Sequence, residues 1–314
     1  MENYYIQDSR YDNMQYAYCG RSGLMLSRIA LGFWHNMQDL DLCRNLVRCA
    51  YDAGVTYYDL ANNYGVPLGS AEENFGRVMR EDMAAHRDEM IISSKAGHHM
   101  WPGPYGEWGS RKSLMASIDQ SLKRMNLEYV DIFYSHRPDP RTPLEETMQA
   151  LVDIVRSGKA LYAGISKYPA DMARKAYDYL AAHDTPCLVY QGKYNMLTRD
   201  HETEILPQAA ANGVGYVAFS PLNQGLLTDR YLSGNDFVIP ADSRMANGGS
   251  INPSFFTPEY KELILGLAAQ AREEGRTISQ IALRWILRRP EVTSVIVGAS
   301  SVQQFKQNLL AVQP

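Results

Sequence analysis

Several things are scarce in this sequence. It has four cysteines, Cys19, Cys43, Cys49 and Cys187, and no CxxC pair. In a chain of this length that argues against a disulfide framework and for reduced, buried thiols in a cytoplasmic protein. Cys49 follows Leu42 and Leu46 at helical spacing and reads as core. No apolar run approaches the roughly 20 residues of a helical membrane span. The polar start MENYYIQDSRYDN lacks the charged and apolar regions of a secretory signal. The formal net charge is only −4, so neither nucleic acid nor an anionic membrane is an expected partner. Gly213-Val214-Gly215 lacks the third glycine of a dinucleotide fingerprint, and there is no Walker A loop. His98-His99 has no HExxH motif or Cys/His cluster around it, so no metal is expected.

What is present is rhythm. After a hairpin expected over 14–18 and 24–26, around Cys19-Gly20-Arg21-Ser22-Gly23, eight short apolar strands are predicted. They lie at 28–32, 56–60, 90–95, 130–136, 160–166, 188–194, 215–221 and 294–299. Helical patterns separate most of them, at 41–53, 70–80, 111–124, 143–157, 170–181 and 202–211. An extra segment over 223–258, rich in Gly, Asn, Ser and Pro, follows the seventh strand; helices at 259–274, 278–288 and 302–310 complete the chain. Ser70 and Glu73 have capping-box spacing, and Gly54 and Gly158 stand as helix stops. No linker divides the chain, so 1–314 reads as one domain. Strand–helix alternation implies a parallel sheet; a doubly wound sheet and a barrel both satisfy it. Eight strands in this length favour the α/β (β/α)₈ TIM barrel, with the N-terminal β-hairpin plugging its base.

Barrel chemistry sits at the C-terminal ends of the strands. The second strand ends in Tyr57-Tyr58-Asp59, with Tyr64 in the following turn; the third ends on Lys95 and the fourth on His136. Singly, each fits a bland role: a capping acid, a solvated lysine, a satisfied core histidine, a packed tyrosine. On adjacent strands, about 5 Å apart, they converge. A free phenol, titrating near pH 10, is too weak an acid at neutrality, and a nearby ammonium lowers its pKa. Asp59 is therefore expected to keep Lys95 charged, Lys95 to acidify Tyr64, and His136 to hydrogen-bond a substrate oxygen.

These motifs, YYDLANNYG, IISSKAG, YVDIFYSHRPDP, KALYAGIS, VAFSPLNQGLLT and SVIVGASSVQQFKQNL, resemble the aldo-keto reductase family in its own order along nearly the whole chain. GSAEENFGRVMRED, WPGPYG and QSLKRMNLEYVDIFYSHR are similar to its bacterial L-glyceraldehyde 3-phosphate reductase group. More distantly the chain resembles the β subunits of voltage-gated potassium channels. The resemblance implies reduction of small aldehydes and ketones with NADPH (NAD possible). Asp59, Tyr64, Lys95 and His136 match the family tetrad, with Tyr64 as proton donor. Ser166 and Gln191 match the residues that hold the nicotinamide carboxamide, and Phe219 the ring that stacks on it. Phe33, Trp34 and Asp59 border the same site. Ser220, Pro221, Leu222 and Gly225 match the pyrophosphate-facing turn. Arg230 and Arg244 match phosphate-contacting cations, and Gly298, Ser300, Gln304 and Asn308 the adenosine end. Ser300, as a helix-start residue, also fits a plain N-cap, and helix starts favour phosphate.

Three departures stand out. Lys167 replaces the usual Asn or Arg after the serine. Ser301 stands where relatives commonly carry Arg or Lys, which removes one hold on a 2′-phosphate. The sequence stops at Pro314, where relatives continue, which reads as a shortened chain or a more open pocket. The substrate wall is expected from Trp34, Tyr64, His99, Trp101 and His136, with His35, Met100 and Tyr105 nearby. Arg111, Lys112 or Arg137 are candidates to meet a substrate phosphate, as in L-glyceraldehyde 3-phosphate; methylglyoxal is the neutral candidate. The alternative is a nicotinamide-binding, redox-sensing regulatory subunit with slow turnover. His136 argues against it, since channel β subunits carry Asn at the matching place. A sugar-phosphate aldolase or isomerase on the same barrel is a third reading and needs no nicotinamide. A homo-oligomer is compatible with all three.

Overall fold

The computed structural model describes residue 6 and residues 8–233, 236–241, 246 and 256–313. The hairpin comes first along the chain, β1 (Tyr16–Tyr18) antiparallel to β2 (Met25–Ser27). Then β3 (Ile29–Gly32), β4 (Tyr57–Asp59), β5 (Ile91–Ala96), β6 (Val130–Ser135), β7 (Ala160–Ser166), β8 (Cys187–Lys193) and β9 (Gly215–Phe219) follow in order. Two short strands, β10 (Leu232–Ser233) and β11 (Asp236–Phe237), pair with each other, and β12 (Val292–Val297) comes last. Strands β3 to β9 and β12 pair in parallel and close into a barrel, β12 bonding to both β3 and β9. This is the (β/α)₈ barrel expected from the alternation.

Helices α1 (Leu40–Asp52), α2 (Ser70–Val78), α3 (Arg111–Met125), α4 (Leu144–Arg156), α5 (Ala170–Ala182) and α6 (Ile205–Ala211) fill the crossovers. Helices α7 (Pro258–Glu273), α8 (Ile278–Leu287) and α9 (Val302–Leu309) complete the ring. No helix among the described residues is long and apolar enough to cross a membrane. All four cysteines are free and buried.

Period-two alternation sorts the strand side chains into two cores. Tyr57, Ile91, Ile132 and Tyr134 point into the barrel, while Tyr58, Ile92 and Phe133 point outward to the helices. The hairpin contributes Cys19 and Leu26 to the inner cluster, which makes it the plug. Its turn is glycine by necessity: Gly20 has φ 59°, and a Cβ there would strike the Gly213 carbonyl at the base of β9. The Arg21 amide donates to that carbonyl at 2.9 Å. A third cluster joins Leu226, Leu227 and Tyr231 of the extra segment to Tyr260, Ile264 and Ile281 of α7 and α8.

Some expected boundaries move, each for a local reason. The seventh strand stops at Phe219 because Ser220 turns left-handed, φ 53°. Helix α6 starts at Ile205, after a separate 3₁₀ turn at Asp200–Glu202. Ser70 is not an N-cap. Gly69 caps α2 at φ 91°, with no side-chain bond, and the amides of Gly69 and Ala71 donate to the Tyr64 carbonyl instead. A reciprocal capping box does occur, at Thr277 and Gln280 of α8.

Candidate active site

The inward-pointing positions at the C-terminal rim of β4, β5 and β6 are polar. Register places Asp59 beside Ser93 and Lys95 beside Tyr134. Lys95 is fully buried, and its Nζ lies 2.7 Å from Asp59 Oδ2, 2.6 Å from the Leu60 carbonyl and 3.4 Å from the Tyr64 hydroxyl. An ammonium has three N–H groups, and here each has an acceptor. Asp59 is satisfied just as fully: its Oδ1 accepts from Gln191 at 2.8 Å, Ser93 at 2.9 Å and Tyr57 at 3.2 Å. A buried ion pair is tolerable only with such a complete shell.

Tyr64 is set by its loop. Its amide donates to the Ala61 carbonyl, and its own carbonyl takes the two amides at the start of α2. Its ring meets His136 edge-on, centroids 5.8 Å apart, and His136 in turn meets His98 at 4.5 Å. The His136 amide donates to the Ala96 carbonyl at 2.9 Å, which holds the residue just past the end of β6. The fold brings together all four residues expected from the strand ends, Asp59, Tyr64, Lys95 and His136.

The electrostatics differ from the expectation in one respect. Burial pushes the Tyr64 phenol well above its ordinary value, and the Asp59 carboxylate adds in the same direction. The expected net acidification is absent. Burial also lowers the Lys95 ammonium, against the raising effect of Asp59. The His136 imidazolium is held well below its usual range, first by burial and then by Lys95, Lys167, His98 and Arg137. At neutral pH the site holds a protonated phenol and a neutral imidazole.

From Tyr64 and His136 a continuous cavity of about 850 Å³ runs along the rim to Ser300 and Gln304. Phe33, Trp34 and Asp59 border its deep end. Gln191 and Phe219 follow, then the turn of Ser220, Pro221, Leu222 and Gly225. Arg230, Gly298, Ser300 and Gln304 complete the far end. Ser220, Asn223 and Gln224 all have positive φ, 53°, 43° and 59°. Non-glycine residues hold such conformations at a cost of about 1–3 kcal/mol each, and they concentrate at functional turns. The buried Ser166 Oγ has no hydrogen-bond partner among the described residues, and neither has Asn308 Nδ2. Neither Ser166 nor Asn308 lines the cavity; Ser166 pairs in register with Gln191, which does, so its unused hydroxyl lies one strand away from a carboxamide on the cavity wall. Arg244 lies outside the described residues.

Helix α9 begins one residue later than the bland reading of Ser300 implies. Ser301 is its N-cap, accepting from the Gln304 amide at 3.1 Å, while Ser300 donates to the Gln304 side chain. The expected substrate wall is redrawn as well. His99 and Trp101 do not line the cavity; His98 does. The loop after β5 closes on itself, with Met100 N bonded to the Gly106 carbonyl and Trp108 N to that of Gly97, which turns its tip away. Nor do Arg111, Lys112 or Arg137 line the cavity. Arg111 pairs with Asp153, Lys112 sits over the Tyr105 ring, and Arg137 pairs with Glu107 and stacks on Trp108. Sequence reasoning missed His98, which it weighed only as half of a metal pair. It also missed Glu72, which is fully buried between Ser94 at 2.6 Å and Arg124 at 2.8 Å, behind Lys95.

Residues 28–313 match the sequence model of the Aldo/keto reductase family. The chain belongs to that family. As an aldo-keto reductase it is an oxidoreductase that reduces carbonyl groups. It is 51% identical to L-glyceraldehyde 3-phosphate reductase of Escherichia coli (strain K12) over 310 residues, covering 96% of this chain and 88% of that protein. It is 36% identical over 308 residues to a probable voltage-gated potassium channel β subunit of Arabidopsis thaliana, covering 95% of this chain and 91% of the other.

Proposed function

We propose that the protein reduces small aldehydes and ketones to alcohols with NADPH, Tyr64 giving the proton. L-Glyceraldehyde 3-phosphate and methylglyoxal are the candidate substrates. The observation that carries this reading is the direction of one hydrogen bond. Lys95 donates to the Tyr64 oxygen, so the phenol's own proton is left to point at a carbonyl oxygen in the cavity. Neutral His136 donates a second hydrogen bond to that oxygen and orients it. As the proton leaves, negative charge develops on the Tyr64 oxygen, and the adjacent Lys95 ammonium stabilises it. Asp59 is the counter-charge that keeps the buried ammonium protonated.

A bound reduced nicotinamide supplies the hydride for the carbonyl carbon. Ser166 and Gln191 would hold its carboxamide, Phe219 its ring face, the turn at 220–225 with Arg230 and Arg244 its phosphates, and Ser300 and Gln304 its adenosine end. Asp59 already fixes the Gln191 amide, so that side chain enters binding pre-oriented.

The test is a screen of small aldehydes and ketones against both nicotinamides, following oxidation at 340 nm. Turnover with NADPH and a short-chain aldehyde is expected. Tight NADPH binding with negligible turnover across the panel would favour the second reading, a redox-sensing regulatory subunit, which the 36% identity to a channel β subunit keeps in play.

A further inference from the structure

Lys167 follows the last residue of β7 in a left-handed conformation, φ 63°, and lines the same cavity as Tyr64 and His136. Its Nζ lies 3.3 Å from His98 Nε2 and 5.4 Å from the centre of the Phe219 ring. His98 packs edge-on against His136. One wall of the cavity is thus a row, Lys167, His98, His136, leading to Tyr64. The groups acting electrostatically on Lys167 are Lys95 and Arg137, both cations. Lys95 is committed to Asp59, and Arg137 to Glu107. No carboxylate among the described residues forms an ion pair with Lys167, so this wall is positive and lacks an anion of its own.

We propose that Lys167, with His98, reads a negatively charged group, phosphate or carboxylate, carried a few bonds from the carbonyl of the substrate. The proposal rests on the reductase reading and names the substrate class and the residue that selects it. Because His98 is neighbour to His136, an anion seated on Lys167 leaves a short chain's carbonyl at His136 and Tyr64. The cost of holding charge here supports this. Burial, then Lys95 and Arg137, lower the Lys167 ammonium to about 8, and burial, then Lys167 and Arg137, lower His98 to about 4. An arriving anion relieves that repulsion, and a charge-assisted contact is worth about 1.5–3 kcal/mol, roughly ten- to a hundredfold in affinity.

The test compares wild type with Lys167→Met and His98→Ala. Substrates are glyceraldehyde 3-phosphate, an aldehyde bearing a carboxylate, and neutral glyceraldehyde; NADPH affinity is read by quenching of tryptophan fluorescence. In Lys167→Met the charged-to-neutral ratio of kcat/KM should fall about tenfold or more, and Lys167→Arg should recover part of it. A fall for only one of the two anions supports the proposal and identifies the group. In wild type the KM for charged aldehydes should rise as pH passes about 8, where Lys167 gives up its proton. An unchanged ratio, or a loss confined to NADPH affinity, overturns the proposal. Calorimetric binding of glycerol 3-phosphate, expected to weaken tenfold or more in Lys167→Met, needs no turnover. Failed reduction with that binding intact would strike the proposed function and not this one.

Discussion

Lys95 donates to the Tyr64 hydroxyl at 3.4 Å and does not accept from it, and this fixes what the phenol can do. An oxygen that accepts from an ammonium must send its own proton elsewhere. Tyr64→Phe keeps the ring and its edge contact with His136 but deletes that proton. Reduction should fall roughly a hundred- to ten-thousandfold, the usual worth of a positioned general acid. NADPH affinity, measured by fluorescence quenching, should change little. Turnover close to wild type would remove Tyr64 from the acid role.

The same phenol sets a pH asymmetry. Its pKa is raised, by burial first and Asp59 second, so its acid form persists above the ordinary value near 10. Reduction needs that acid form and should not lose rate from a deprotonating tyrosine as pH climbs from 6 to 10. Alcohol oxidation needs the phenolate and should rise across the whole range. Initial rates in the two directions, each at saturating cofactor, separate these limbs. A reduction rate falling with an apparent pKa near 7 to 8 on a neutral aldehyde would contradict the direction.

The Asp59–Lys95 pair, 2.7 Å apart and out of solvent, gives a stability prediction. Asp59→Ala strands a buried ammonium and leaves Gln191, Ser93 and Tyr57 without their shared acceptor. Loss of one partner of such a pair costs about 3–5 kcal/mol. The double variant Asp59→Asn with Lys95→Met removes both charges and should recover much of that stability while staying inactive. Denaturant unfolding of wild type, Asp59→Asn, Lys95→Met and the double variant supplies the cycle, and additive losses in the double variant would mean that the two residues do not act as a pair.

Much of this was legible before any coordinates. The barrel follows from alternation, because eight strands separated by helices have few other ways to bury both sheet faces. Period two brings part of the site together: Tyr57, Asp59, Ser93 and Lys95 share inward parity, whereas Tyr64 comes from the turn after β4 and His136 from just past the end of β6. Loops broke the reading. Nothing in His98-His99 says which imidazole enters the cavity, since that depends on how residues 97–110 close on themselves. The charges of Arg111 and Arg137 looked available, but their partners Asp153 and Glu107 lie 42 and 30 residues away in sequence. Proximity of Tyr64 to lysine can be read from the strand ends, whereas the depth of burial that raises its phenol cannot.

Ser301 offers a gain-of-function test at the far end of the cavity. Its hydroxyl caps α9 by accepting from the Gln304 amide at 3.1 Å, and its exposed side chain stands next to Ser300, which lines the cavity. Replacing it with arginine exchanges a cap for a cation at a helix start, where phosphate is already favoured. Ser301→Arg should lose about 1 kcal/mol of stability with the cap. It should also sharpen the preference for NADPH over NADH by roughly tenfold, one charge-assisted contact to the 2′-phosphate. The two effects are read separately, by thermal unfolding without nucleotide and by the ratio of kcat/KM for the two cofactors. An unchanged ratio would place the 2′-phosphate away from the start of α9, and equal tightening of both nicotinamides would assign the new arginine to the pyrophosphate.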